Sequence, residues 1–382
     1  MKSVAVSSWG SGCPTNEPSD DVQGIGVRMA GNKGAGLIRP SVQALKAYVP
    51  GEQPQGAGWI KLNTNENWFV SPSVLAAVVA AATHDLRRYP DPVCTELRTK
   101  LSARYGIDPQ QIICGNGSDE LLTMLIRAIA GEGDCIAFTE PSYSLYETLS
   151  HIQNAASVSV PIGDGWQLPV QELVAVNAPL TFITTPHAPS GTAYRLSDLE
   201  AIAAGCAGVV VFDEAYVDFG GVTALSLLDR YPNVVVLRTM SKAFGLAGMR
   251  LGYAFGSREL IGALYRIKDS YNVDHLTQVA GCAALDAWDE YARVNHDTAL
   301  RRDRIASELH RRFGWRVWPS ATNFILVDVD DADVDQIVSR LRSEQILVRY
   351  FARPRLDRSM RISVGSDAEM DRLLATLDRV VG

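Results

Sequence analysis

The stretch Val209-Val210-Val211-Phe212-Asp213-Glu214 sets four consecutive β-formers directly before two carboxylates. No polar residue interrupts the four, so neither face of such a strand suits water. A strand of this kind is buried on both sides, as in a mostly parallel sheet covered by helices. The same arrangement recurs around it. Leu180–Ile183 ends at Thr184-Thr185-Pro186, Val234–Leu237 ends at Arg238-Thr239, and Cys135–Phe138 runs into Glu140-Pro141. Gln111-Ile112-Ile113 leads through Gly115-Asn116-Gly117 into a helical stretch over Ser118–Ile129. Short apolar strands alternating with helices predict an α/β fold whose large domain has a mostly parallel sheet flanked by helices. Beyond about residue 275 the pattern changes. A long helical stretch from Gln278 to about Phe313 is followed by Asn323–Val329, a helix-like Val334–Glu344, Ile346–Arg349 and Arg361–Val364, which predicts a smaller α+β domain. The expected organisation is a flexible N-terminal arm over 1–37, rich in Gly, Ser, Asn and Pro; a segment over 38–60 that joins the small domain; a large domain over 61–275; and a small C-terminal domain over 276–382.

Composition narrows the function. The chain has 382 residues, 36 Lys and Arg against 43 Asp and Glu, a net charge of −7, 47% hydrophobic and 21% charged residues. These are values of an ordinary globular protein. The acidic balance lacks the basic footprint of a nucleic-acid binder. The six cysteines form no C-x-x-C pair, so no zinc or thioredoxin-type motif is present, and reduced thiols in a cytoplasmic protein are expected. The first residues lack the apolar core of a secretory signal, and no apolar run is long enough to span a membrane. The six histidines show no metal-ligand spacing, so no metal site is expected.

In open parallel sheets, ligands sit beyond the carboxyl ends of the strands. Here those ends carry Gly115–Asp119, Pro141–Tyr143, Thr185–Thr192, Asp213–Tyr216 and Thr239–Lys242. Each has a plain structural reading. Gly117-Ser118-Asp119 can cap a helix, Asp213 can close a turn, Tyr143 and Tyr216 can pack, and Lys242 can face solvent. The nucleotide motifs fail: no P-loop occurs, and Gly115-Asn-Gly117-Ser-Asp-Glu120 lacks the last glycine of G-x-G-x-x-G. Taken together the strand ends suit one ligand. An anion-binding helix start, a stacking aromatic, a carboxylate, a phenol and a Ser-Lys pair match the phosphate, ring, ring nitrogen, phenolic oxygen and aldehyde of pyridoxal phosphate.

The segment Arg238-Thr-Met-Ser-Lys242-Ala-Phe-Gly-Leu-Ala-Gly-Met-Arg250-Leu-Gly-Tyr253 resembles the lysine segment of the fold-type I pyridoxal-phosphate aminotransferases, most of all the histidinol-phosphate aminotransferase group. The resemblance runs from about Ile38 to the C-terminus. It includes Leu62-Asn-Thr-Asn-Glu-Asn67, Arg88-Tyr-Pro-Asp-Pro92, Gly115–Glu120, Pro141-Ser-Tyr143, Pro189-Ser-Gly-Thr192 and Asp213-Glu-Ala-Tyr216. It continues through Lys268-Asp-Ser-Tyr-Asn272, Thr322-Asn-Phe324 and Arg361-Ile-Ser-Val-Gly365. It implies that Lys242 joins the cofactor's aldehyde and then serves as general acid and base, that Asp213 keeps the ring nitrogen protonated, that Tyr216 bonds the phenolic oxygen, and that Tyr143 stacks on the ring. It implies a phosphate cup of Gly117, Ser118, Asp119, Ser241 and Arg250, with Arg361 forked onto the substrate carboxylate and Arg349 near a substrate phosphate. A homodimer that takes an amino donor and a 2-oxo acid follows from the same resemblance.

Two positions depart from the family pattern. The asparagine that bonds the phenolic oxygen is replaced by Ala188, which leaves His187 as its substitute or Tyr216 acting alone. The Asn-Glu-Asn67 motif is followed by Trp68 instead of proline. The family brings this segment toward the partner's site, so Asn67 and Trp68 are candidate substrate residues, with simple packing as the other reading of Trp68. The expected reaction converts histidinol phosphate and 2-oxoglutarate to imidazole-acetol phosphate and glutamate. Ala188 and Trp68 keep open an aromatic amino-acid aminotransferase, a threonine-phosphate decarboxylase or a specialised-metabolism relative. A non-catalytic binding module is the third reading, and the presence of Lys242 speaks against it.

Overall fold

The computed structural model describes residues 37–45, 50–83, 86–329 and 333–381. The expected N-terminal arm, with Cys13, falls outside them apart from residue 37. Twelve strands follow in chain order: β1 (Ile60–Leu62), β2 (Ile112–Asn116), β3 (Cys135–Glu140), β4 (Ala156–Pro161), β5 (Leu180–Thr184), β6 (Val209–Asp213), β7 (Val234–Thr239), β8 (Leu251–Gly256), β9 (Arg316–Val317), β10 (Phe324–Asp328), β11 (Ile346–Tyr350) and β12 (Ser359–Ser363).

Seven of them form one sheet in the order β2-β8-β7-β6-β5-β3-β4. The pairs β7–β6, β6–β5, β5–β3 and β3–β4 are parallel, and β8 runs antiparallel to both neighbours. The apolar run 209–212 explains the layering. Val210 and Phe212 join one core cluster with Val234 and Val236, whereas Val211 joins a second with Val235 and Leu237. Successive side chains of one strand therefore feed opposite faces, and helices close both. The helix Gly117–Ile129 supplies Leu121, Leu122 and Leu125 to the second cluster.

The remaining five strands form a smaller sheet in the order β1-β11-β12-β10-β9. Ile60, Leu62, Ile325, Val327, Ile346 and Ile362 pack there against Leu373 and Leu377 of the helix Asp367–Val381. Strand β1 pairs in parallel with β11, Ile60 opposite Ile346 and Leu62 opposite Val348. The larger unit accordingly starts after Leu62, two residues beyond the expected boundary. At the other end, the helical stretch after residue 275 is two helices, His275–Asp286 and Trp288–Phe313, broken at Ala287. Ala280, Cys282, Leu285 and Tyr291 join the large-sheet core, whereas Ile305 and Leu309 join the small one, with Ala306 and Phe313 packed against it. The change of packing partner thus falls within the second helix, whereas the boundary expected at 275/276 lies at the start of the first. Uniform helical periodicity across the break hides the change of partner.

The helix Pro72–Ala82 carries Leu75 and Val79, one turn apart and 51% and 67% exposed. No described helix is long and apolar enough to cross a membrane.

Candidate active site

The carboxyl ends of β5, β6 and β7 and the start of helix Gly117–Ile129 open onto a cleft of about 410 Å³, closed on its other side by residues of the small sheet. Asp213 ends β6. It is 4% exposed; its Oδ2 accepts from the Tyr146 hydroxyl at 2.7 Å and its Oδ1 from the Ala215 amide at 3.2 Å. Burial raises its pKa to about 6, against the pull of the Tyr146 and Ala215 hydrogen bonds. A buried carboxyl in this state gains most from a cation placed opposite it.

Lys242 follows β7 and lines the same cleft. Its Nζ donates to the Thr64 carbonyl at 2.8 Å and lies 5.9 Å from the centre of the Tyr216 ring. Burial, and next the charge of Arg361, lowers its pKa to about 8. An amine close to neutrality at working pH is available both as nucleophile and as proton carrier. Tyr216 is buried with its ring edge-on to Phe324, and its hydroxyl accepts from Asn65 Nδ2 at 3.0 Å.

The helix start has the features of an anion seat. Asn116 at the N-cap makes no side-chain cap hydrogen bond, so the first-turn amides lack their usual side-chain acceptor. Ser118, Asp119, Ser241 and Arg250 line the cleft beside it. Arg250 Nη2 donates to Asp119 Oδ2 at 3.2 Å, and Tyr143 donates to Asp119 Oδ1 at 3.2 Å. Gly117 has φ +76°, and a Cβ there would stand 2.6 Å from Arg250 Nη2. On β8, a Cβ at Gly252 would meet the Ser118 amide nitrogen at 2.4 Å. Two glycines therefore keep this cradle clear. An uncapped helix start, two hydroxyls and a guanidinium suit a phosphate; the buried carboxyl suits a pyridinium; the amine suits an aldehyde. The residues present fit pyridoxal phosphate.

On the small-sheet side, Arg349 and Arg361 face each other across β11 and β12 and both line the cleft. Arg361 Nη2 donates to the Asn63 carbonyl at 3.2 Å, and its guanidinium lies over Phe324 and Phe351. Arg353 also lines the cleft, 3.5 Å from Glu140.

Three expected site residues lie elsewhere. His187 is fully buried with both ring nitrogens engaged, Nε2 2.9 Å from the Pro141 carbonyl and Nδ1 2.8 Å from the Ser190 hydroxyl. Burial lowers its pKa to about 4, so it is a neutral packing residue and does not replace the asparagine missing at Ala188. Asn67 Nδ2 donates to the Lys242 carbonyl at 3.1 Å, which ties it to the lysine segment. Trp68 is 39% exposed beside it. Its Nε1 donates to Thr298 at 3.2 Å, and Arg301 lies over its ring.

Other residues of the site escaped the sequence reading. Tyr146 holds Asp213, and it stands three residues after Tyr143 on a helix start that periodicity alone does not separate from packing. Asn65 lies inside the quoted 62–67 motif, yet its neighbour Asn67 drew the assignment. Thr64 contributes only a carbonyl, which no sequence pattern signals.

The aminotransferase class I and II family model matches residues 57–377. The chain is 39% identical over 344 residues to the histidinol-phosphate aminotransferase of Microcystis aeruginosa, covering 90% of this chain and 98% of that one. It is 42% identical over 348 residues to the histidinol-phosphate aminotransferase of Geobacter sulfurreducens, covering 90% and 99%. Among solved structures, the histidinol-phosphate aminotransferase of Sinorhizobium meliloti in complex with pyridoxal-5'-phosphate superposes with a TM-score of 0.83 at 30% identity, over 90% of this chain and 97% of the other.

Proposed function

Because this chain belongs to the aminotransferase class I and II family, we propose that it is a pyridoxal-phosphate-dependent histidinol-phosphate aminotransferase, passing the amino group to 2-oxoglutarate in histidine biosynthesis. The observation that carries the reading is the meeting of Lys242, Asp213 and Tyr216 in one cleft with Arg361 and Arg349.

Ser118, Ser241, Arg250 and the helix start would hold the phosphate, with Tyr143 beside the ring. When bound, the cofactor supplies the carbonyl that captures the amine and the ring that withdraws electrons from its Cα. Asp213 keeps a proton on the ring nitrogen by facing it with a buried carboxylate. Tyr216 donates its proton to the phenolic oxygen. Arg361 receives a planar carboxylate in bidentate fashion, a task suited to guanidinium. Arg349 stands next to it on β11 for the second anionic group of the donor. With the cofactor bound, Lys242 would act as general base and acid, moving a proton from one carbon to another; in the structure its amine rests on the Thr64 carbonyl. One pocket serves donor and acceptor in turn, so the kinetics are ping-pong.

The exposed pair Leu75 and Val79, with Tyr89 stacked on Tyr271 at 4.2 Å, supports a homodimer. Cys94, Cys114, Cys206 and Cys282 are free thiols, which supports a cytoplasmic location.

The test is a panel of phosphorylated amines and amino acids offered with 2-oxoglutarate to the cofactor-loaded protein. Parallel double-reciprocal lines and glutamate formed from histidinol phosphate are expected. Loss of CO2 from the donor, or turnover confined to unphosphorylated aromatic amino acids, would overturn the substrate assignment. Borohydride reduction followed by peptide mapping should place the label on Lys242.

A further inference from the structure

Tyr216 can give its proton to a ligand only if its oxygen is held and its proton is not claimed elsewhere. Ala188, lining the same cleft, carries no donor to share this task. The group that holds the oxygen is Asn65. This residue is 1% exposed and lies at φ +57°, in the left-handed region that asparagine tolerates better than most. Three contacts with the small-sheet side secure it. Its amide N–H donates to Ser363 Oγ at 2.9 Å, the Ser363 hydroxyl donates to Asn65 Oδ1 at 3.1 Å, and Asn323 Nδ2 donates to the Asn65 carbonyl at 3.0 Å.

In this hydrogen-bond pattern the Ser363 hydroxyl accepts from the Asn65 backbone amide and donates to Asn65 Oδ1. Nδ2 is then the end that meets Tyr216, at 3.0 Å, and an amide nitrogen only donates. The Tyr216 oxygen thus accepts from Asn65 and its proton is directed away from it.

We propose that Asn65 is the positioning residue of the Tyr216 phenol, orienting its proton toward the cofactor's phenolic oxygen and strengthening that donation. The inference rests on the reading of Tyr216 given under Proposed function. Donation into a hydroxyl oxygen polarises its O–H, so the two hydrogen bonds reinforce each other. The charged and titratable groups around the phenol are Arg361, Asp213, Asp119 and Lys242. Because Ser363 lies two residues from Arg361 on β12, the strand that carries the substrate arginine also fixes the donor behind the phenol.

A phenolic oxygen that loses part of a donated hydrogen bond becomes more basic and keeps its shared proton to higher pH. The experiment is a pH titration of the visible absorbance of the cofactor-loaded protein, with thermal midpoints recorded alongside. Asn65→Gly removes the donor while accepting the left-handed backbone, and adds no charge. Its absorbance midpoint should rise by about 0.5 to 1 pH unit. Ser363→Ala, which releases the lock on the amide, should move it the same way by less. Tyr216→Phe should raise it at least as far as Asn65→Gly, and adding Asn65→Gly to Tyr216→Phe should move it no further. An unchanged midpoint in Asn65→Gly, or an equal shift with and without Tyr216, overturns the inference while leaving the proposed function standing. A wild-type protein that takes up no cofactor overturns both.

Discussion

The Tyr146 hydroxyl donates to Asp213 Oδ2 across 2.7 Å with both residues buried. Tyrosine has one proton, and committing it to Asp213 means that the Thr184 hydroxyl, 2.9 Å away, donates to the tyrosine oxygen. Thr184 ends β5 and Asp213 ends β6, opposite each other in register. The carboxylate is thus braced by a chain of hydroxyls from the neighbouring strand. Tyr146 does not line the cleft, so Tyr146→Phe removes a support without touching the ligand. About 1 kcal/mol of hydrogen bonding is lost, and kcat should fall roughly five- to tenfold while KM for the donor changes little. Steady-state kinetics separate the two; a change confined to KM would contradict the bracing role.

The burial of Asp213 makes the cofactor-free protein pH-sensitive in a definite direction. The carboxyl titrates near 3.8 when unfolded and at about 6 when folded. Its contribution to stability is therefore fully present below pH 3.8 and is lost as pH rises toward 6. Above that the buried charge costs roughly 3 kcal/mol by the pKa difference. Asp213→Asn abolishes this loss, so the cofactor-free variant should be more stable than wild type at pH 7 and should gain less when cofactor is added. Urea unfolding at pH 4 and pH 7, with and without cofactor, reads both effects. A wild-type advantage at pH 7 without cofactor would refute the argument.

Lys242 is held at about 8 by burial first and by Arg361 second. Only the neutral amine attacks an aldehyde, so the rate of cofactor attachment should climb with pH up to about 8 and then level. Arg361→Met removes the nearby positive charge and should shift that midpoint upward. Stopped-flow absorbance across pH 6 to 10, a range chosen to span about 8, follows it; a downward shift would reverse the assigned sign of the interaction.

Gly245 has φ +62°, and a Cβ there would stand 2.0 Å from the Phe69 carbonyl oxygen. The same approach lets Asn67 Nδ2 reach the Lys242 carbonyl. Gly245→Ala forces the lysine segment and residues 67–70 apart on top of the left-handed strain, a cost of about 1–3 kcal/mol. A lower melting temperature together with cofactor affinity weakened at least tenfold is expected by calorimetry and absorbance titration. Unaltered cofactor affinity would uncouple the two segments.

Sequence alone determined the parallel sheet, because runs such as 209–212 and 234–237 are apolar at every position and only a sheet covered on both faces satisfies them. It also brought Lys242, Asp213, Tyr216 and the 115–119 turn to one edge, since residues that end parallel strands share that edge whatever the loops do. The antiparallel β8 was less legible: two glycines dilute its apolar signal, and the missing side chain of Gly252 serves the close approach of Ser118. Tertiary structure alone decided which polar side chains face the cleft. His187 and Ala188 are adjacent in sequence, yet Ala188 lines the cleft while both nitrogens of His187 are engaged outside it. Asn65 and Asn67 differ in reach for the same reason, the first bonded to Tyr216 and the second to the Lys242 backbone. The direction of a loop side chain depends on the tertiary partners it meets, and no local periodicity encodes them.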